Sequence, residues 1–74
     1  METRVKQIMQ DMLGIDAATI GESTRMETVP AWDSVVHVNL CASLEEEFAL
    51  TLSASDMESM VSYPAILKVL ATRE

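Results

Sequence analysis

Trp32-Asp33-Ser34-Val35-Val36-His37-Val38-Asn39-Leu40-Cys41-Ala42-Ser43-Leu44-Glu45-Glu46-Glu47-Phe48 is the stretch on which the fold turns. No Gly or Pro interrupts Ser34–Phe48, Pro30 stands four residues ahead of it, and Asp33 offers a carboxylate where an N-cap is needed. The run is therefore expected to be the long helix of the domain. At about 100° per residue, His37, Leu40, Cys41, Leu44 and Phe48 collect on one side as a core stripe. Val35, Val38 and Ala42 gather about a third of a turn away, flanked by Glu45 and Glu46, and Ser34 lies between the two groups in the first turn. The preceding loop or another protein has to cover that second stripe. A chain of this size buries only about 60% of its unfolded surface, so a strip for a partner is expected, with Val35, Val38 and Ala42 at its centre and Glu45 and Glu46 at its rim.

Upstream, Val5, Ile8, Met9, Met12 and Leu13 recur at helical spacing, with Thr3 placed to cap the start and Gly14 to end the helix in a left-handed turn. Residues 15–33 have no sustained period. A short helical turn is expected at 16–20, with Ile15, Ile20, Met26 and Val29 pinning the long loop across the core, and long loops are often functional. Downstream, a short helix is expected at 53–60, opened by the capping pattern Ser53-x-x-Asp56, and a last one at about 62–72, capped by Ser62 and striped by Tyr63, Ile66, Leu67 and Leu70. Nothing alternates with period two for long enough to form a strand. The expected fold is all-α, a small four-helix bundle with a long loop between helices 1 and 2 and a short third helix, in one domain over 1–74. Met57 and Met60 are expected to fill the core, and Asp56 and Glu58 to extend the acidic docking surface.

Twelve acidic against five basic residues give a formal net charge of −7. That balance disfavours nucleic acid, because phosphates would be repelled, and favours basic protein partners. One Cys and one His exclude an internal disulfide and a closed zinc site. Glu45, Glu46 and Glu47 point three ways from consecutive helix positions and make no metal cage; Glu47 is expected in solvent. His37 and Cys41 stand one turn apart, but both lie on the core stripe of an acidic chain, so a packed Cys beside an edge His is expected rather than a reactive dyad. His37 is placed to bond a loop carbonyl and pin the loop ahead of Ser34, and Trp32 to anchor that loop. No set of nucleophile, base and oxyanion donor can be assembled, so no enzyme is expected. No apolar run reaches the roughly 20 residues of a membrane span, and Met1 to Lys6 lacks a signal-peptide core. A soluble cytoplasmic monomer is the expectation.

The Asp33-Ser34 pair opening a helix that ends Leu44-Glu45-Glu46-Glu47-Phe48 resembles the acyl carrier proteins, the phosphopantetheine-binding family. The likeness spans nearly the whole chain: Arg4-Val5-Lys6 through Leu13-Gly14-Ile15 is similar to the family's first helix, and residues 53–70 to its short third and closing fourth. The resemblance implies that Ser34 carries 4′-phosphopantetheine, transferred from coenzyme A by a phosphopantetheinyl transferase, and that the terminal thiol of that arm holds an acyl group as a thioester. It implies that Asp33 helps position magnesium and the serine during modification. The partners it implies are the transferase and acyl-loading or acyl-processing enzymes: a ketosynthase, an acyltransferase or an adenylating ligase. Val35 stands where many members have Leu, and Val36 and Asn39 where the next turn is often acidic, which shifts recognition toward apolar contact and Glu45–Glu47. The string Trp32-Asp33-Ser34, His37, Asn39-Leu40 resembles carriers of specialised biosynthetic clusters, such as polyketide or fatty-acid-like pathways, more than the carrier of ordinary fatty-acid synthesis. Two alternatives stay open: an aminoacyl or hydroxyacyl carrier loaded by an adenylating ligase, and an unmodified helical interaction module.

Overall fold

Helix α1 covers Glu2–Leu13 in the computed structural model, which describes residues 1–73. Its Val5, Ile8, Met9 and Leu13 are buried as the periodicity predicts, whereas Met12 stays at the rim, 37% exposed. Thr3 is not the cap: the helix begins two residues earlier than a Thr3 cap would start it, Met1 occupies the N-cap position, and no side chain bonds the first turn there. Gly14 ends α1 in the left-handed region at φ 69°, its amide donating to the Gln10 carbonyl oxygen over 2.9 Å. Glycine suits that turn because it has no Cβ to clash.

The loop that follows is built rather than slack. The expected turn forms as a 3₁₀ segment at Ala17–Thr19, where Asp16 accepts from the Ala18 amide. A second turn, Met26–Thr28, has no clear signature in the sequence. Between them Thr24 is buried, and its hydroxyl accepts from the Gly21 amide over 2.9 Å. The Met26 amide donates to Val61 O, and the Tyr63 amide to Thr24 O, so the loop is tied to the start of the last helix. Ile20 is buried, and Ile15, Met26 and Val29 are packed partly buried against the core, as expected of anchors.

Helix α2 occupies Ser34–Phe48, the predicted bounds. Leu40, Cys41 and Leu44 are fully buried, with His37 and Phe48 half-buried at the edges of the same stripe. Helix α3 is short, Ala54–Ser59, and carries a complete capping box: Ser53 Oγ accepts from the Asp56 amide and Asp56 returns the bond to the Ser53 amide, each at 3.0 Å. Helix α4 spans Tyr63–Arg73, with Ser62 Oγ accepting from the Ala65 amide and Tyr63, Ile66 and Leu70 facing inward. Leu67 is half-buried at the edge of that stripe. Among the described residues there are four α-helices and no strand, only an isolated bridge between Arg25 and Ser62. Helices α1, α2 and α4 each give one apolar stripe to a single shared core, to which α3 adds the partly buried Met57.

Two ion pairs join distant elements. Arg4 of α1 meets Glu47 of α2 through paired N–H donors at 2.6 and 3.1 Å, so Glu47 is engaged rather than left to solvent. The bond from Arg4 lowers the Glu47 carboxyl pKa. Arg73 grips Asp56 through two bonds of 2.8 and 2.9 Å, fastening α4 to α3. The Arg73 bonds, aided by the Ser53 amide, lower the Asp56 pKa from an ordinary 3.8 to about 2. A carboxyl depressed on folding stabilises the fold above its unfolded value and ceases to do so as pH falls through its folded one. The stability advantage of wild type over Asp56→Asn in urea melts is therefore expected to shrink between pH 3.8 and about 2. An advantage independent of pH across that interval would contradict the assignment.

Candidate functional site

The amino end of α2 collects the residues that the sequence singles out. Asp33, in extended conformation ahead of the helix, accepts from the Val36 amide through Oδ1 at 2.9 Å, and its carbonyl oxygen accepts from the His37 amide at 2.8 Å. Ser34 is the first helical residue and is exposed. No acceptor among the described residues pairs with the Ser34 or Val35 amides, so this end keeps open N–H donors and the positive pole of the helix. A phosphodiester on Ser34 fits that setting: the oxygen is reachable, and the anion would sit at donors already aimed outward.

Beside Ser34 the second stripe is bare. Val35 is 71% exposed and Val38 61%, and Ala42 is exposed with them, so the loop does not cover these residues. Two branched aliphatic side chains one turn apart, both in water, form a small apolar patch on a helix that hides its other face. Of the acidic residues assigned to the rim, Glu46 and Glu58 are exposed. Glu45 and Asp56 are placed differently. Glu45 is half-buried, and its Oε2 accepts from the Leu52 amide at 2.8 Å, holding the chain that leaves α2. Asp56 is committed to Ser53 and Arg73. Free negative charge on this side is therefore concentrated at Glu46 and Glu58. The bonds of Glu45 and Asp56 reach across 7 and 17 residues and have no local signature in the sequence.

Behind the serine lies a partly buried polar link that has no local signature in the sequence. Trp32, 2% exposed, donates from Nε1 to His37 Nδ1 at 3.0 Å. His37 Nε2 stands 2.7 Å from the carbonyl oxygen of Met57. The imidazole thus bonds a carbonyl of α3 rather than of the loop, and Trp32 holds the loop through the other nitrogen. Met60 is fully buried and Met57 partly so, consistent with core filling. Cys41 Sγ lies 3.8 Å from His37 Nε2, but burial, assisted by Glu45, pushes the thiol up to about 11. A thiol so placed is no nucleophile at neutral pH. Among the described residues no group of three His, Cys, Asp or Glu is arranged to hold a metal, and no helix is long and apolar enough to cross a membrane.

No family model matches the chain. Individual proteins do. It is 33% identical over 75 aligned positions to an acyl carrier protein of Chlamydia felis, an alignment that spans the whole chain and 95% of that relative. It is 32% identical, again over its full length and across 96% of the relative, to an acyl carrier protein of Chlamydia caviae.

Proposed function

The chain belongs to the acyl carrier protein family, and from that premise we propose that Ser34 is the attachment point of 4′-phosphopantetheine and that the protein is a non-enzymatic shuttle. The observation that carries this reading is the exposed Ser34 at the open amino end of α2, next to uncovered Val35 and Val38. Once attached, the arm supplies a thiol that holds an acyl group as a thioester. The chain's own residues do the presenting. Asp33 fixes the first turn through the Val36 and His37 amides, so the serine oxygen is held outward for a phosphopantetheinyl transferase that draws on coenzyme A. Asp33 is also the carboxylate nearest in sequence to that oxygen, in keeping with a part in holding the transferase's magnesium.

Val35, Val38 and Ala42 would meet an apolar patch on each partner, whether transferase, ketosynthase, acyltransferase or adenylating ligase. Glu46 and Glu58 would meet its Arg and Lys. Exposed pairs contribute only about 0–1 kcal/mol each, so they steer encounter more than they hold the complex. Transient docking suits a carrier that must leave each enzyme. The string Trp32-Asp33-Ser34, which resembles that of carriers of specialised biosynthetic clusters, is what supports placing the chain in such a pathway.

Intact mass after incubation with a transferase of broad specificity and coenzyme A tests the attachment. One arm per chain is expected, and an unchanged mass would overturn the reading. In the same assay Glu46→Lys is expected to lower kcat/KM by up to about fivefold and to flatten its salt dependence, with helicity unchanged. Equal rates and equal salt slopes for variant and wild type would remove Glu46 from the docking surface.

A further inference from the structure

Buried Trp32 and half-buried His37 flank the serine turn, and the carrier reading does not call on the link between them. Trp32 precedes Ser34 by two residues and His37 follows it by three. Their rings are 6.0 Å apart and inclined by 35°, with the indole Nε1–H on Nδ1 at 3.0 Å. Nε2 of the same imidazole reaches Met57 O at 2.7 Å. An indole N–H only donates and a carbonyl oxygen only accepts, so both roles of the ring follow: Nδ1 is bare and Nε2 carries the proton. One imidazole thereby joins the segment ahead of the serine to the last turn of α3.

The far end of that link is a weak element. Helix α3 has six residues, too few to be stable by itself. Among the described residues its Met57 carbonyl otherwise receives only the Met60 amide, at 3.3 Å. The near end is the turn that aims Ser34. A chain of two hydrogen bonds through a polarisable ring strengthens cooperatively, so losing one bond weakens the other.

We propose that His37 is a positioning residue that couples α3 to the serine turn: the seat of α3 sets how Trp32-Asp33-Ser34 is presented, and a partner that grips α3 acts through the imidazole on the attachment site. The meaning of this coupling rests on the reading of Ser34 given above. The coupling itself can be measured on the unmodified chain.

The test uses nitrogen shifts of the imidazole and amide hydrogen exchange on the full chain as wild type, Trp32→Phe, His37→Phe, His37→Gln and the double variant Trp32→Phe/His37→Phe. Wild type is expected to show a pyridine-type Nδ1 and a pyrrole-type Nε2. His37→Phe is expected to speed exchange of the Met57 and Met60 amides and of the Val36 and His37 amides together, by about fivefold. Trp32→Phe keeps an aromatic ring in place and removes one donor; it is expected to speed the α3 amides too, but to add nothing there once His37 is Phe. His37→Gln, whose amide both donates and accepts, is expected to restore part of the protection. With the transferase, His37→Phe is expected to lower kcat while KM stays near wild type, because the docking strip is intact. The proposal is overturned by a protonated Nδ1, by α3 exchange indifferent to Trp32→Phe, by additive effects in the double variant, or by unaltered kcat. Failure of wild type to accept the arm would instead sink the attachment reading, and the exchange and tautomer results would still decide the coupling.

Discussion

Ser34→Ala is expected to abolish the mass gain on treatment with transferase and coenzyme A completely, while the melting curve and helical signal stay those of wild type. The two halves of that result have separate causes. Ser34 is exposed, and its hydroxyl bonds nothing among the described residues; the cap comes from Asp33, which the substitution leaves untouched. Alanine is the best helix former, so stability should move by no more than about 0.5 kcal/mol. The proposed chemistry, by contrast, depends on a single oxygen: of the other six serines, Ser53, Ser59 and Ser62 spend their hydroxyls on helix caps and turns, and Ser23, Ser43 and Ser55 do not open a helix behind a capping Asp. Intact-mass spectrometry on the variant decides the matter: an arm still gained after Ser34→Ala would move the attachment elsewhere and end the proposal for this residue.

Leu44→Ala is expected to give the largest loss of stability among these substitutions, about 2–5 kcal/mol. Leu44 is fully buried on the core stripe of α2, and truncation leaves a hole that a close-packed interior cannot wholly refill. Stability scales at about 0.05–0.15 kcal/mol per residue, so a domain this small has a total of the same order as the loss. The urea midpoint followed by circular dichroism should fall by a third or more, and a substantial unfolded fraction should appear in the absence of urea. Val38→Ala, on the same helix but 61% exposed, should move that midpoint little. A Leu44→Ala variant as stable as wild type would mean that this face is not the core. The pair of variants separates the surface that makes the fold from the surface offered to other proteins.

The elements of this fold were legible wherever their causes are local. The bounds of α2 follow from Asp33 and an uninterrupted run, the end of α1 from Gly14, and α3 from a capping box four residues long, because each motif satisfies its own backbone groups. Helical angle separates Val35 and Val38 from the core stripe, but only the small size of the chain favoured their exposure over cover by the loop. What was not legible depends on tertiary proximity. Nothing near Glu47 announces Arg4, 43 positions away, and nothing near Glu45 announces that it will hold the Leu52 amide instead of facing a partner. His37 was placed correctly at the edge of the stripe but given the wrong carbonyl, because the approach of α3 is decided by packing. Thr3 is a suitable cap by residue type, but the helix extends two residues further and takes Thr3 into its first turn.

The seclusion of Cys41 has a practical corollary for the loaded carrier. With its own sulfur sealed in the bundle and reluctant to ionise, the polypeptide offers no internal competitor that would strip cargo from the arm by thioester exchange. A chromogenic aromatic disulfide added to the folded protein would accordingly report on the proposed tether alone, turning one colorimetric reading into a count of empty arms.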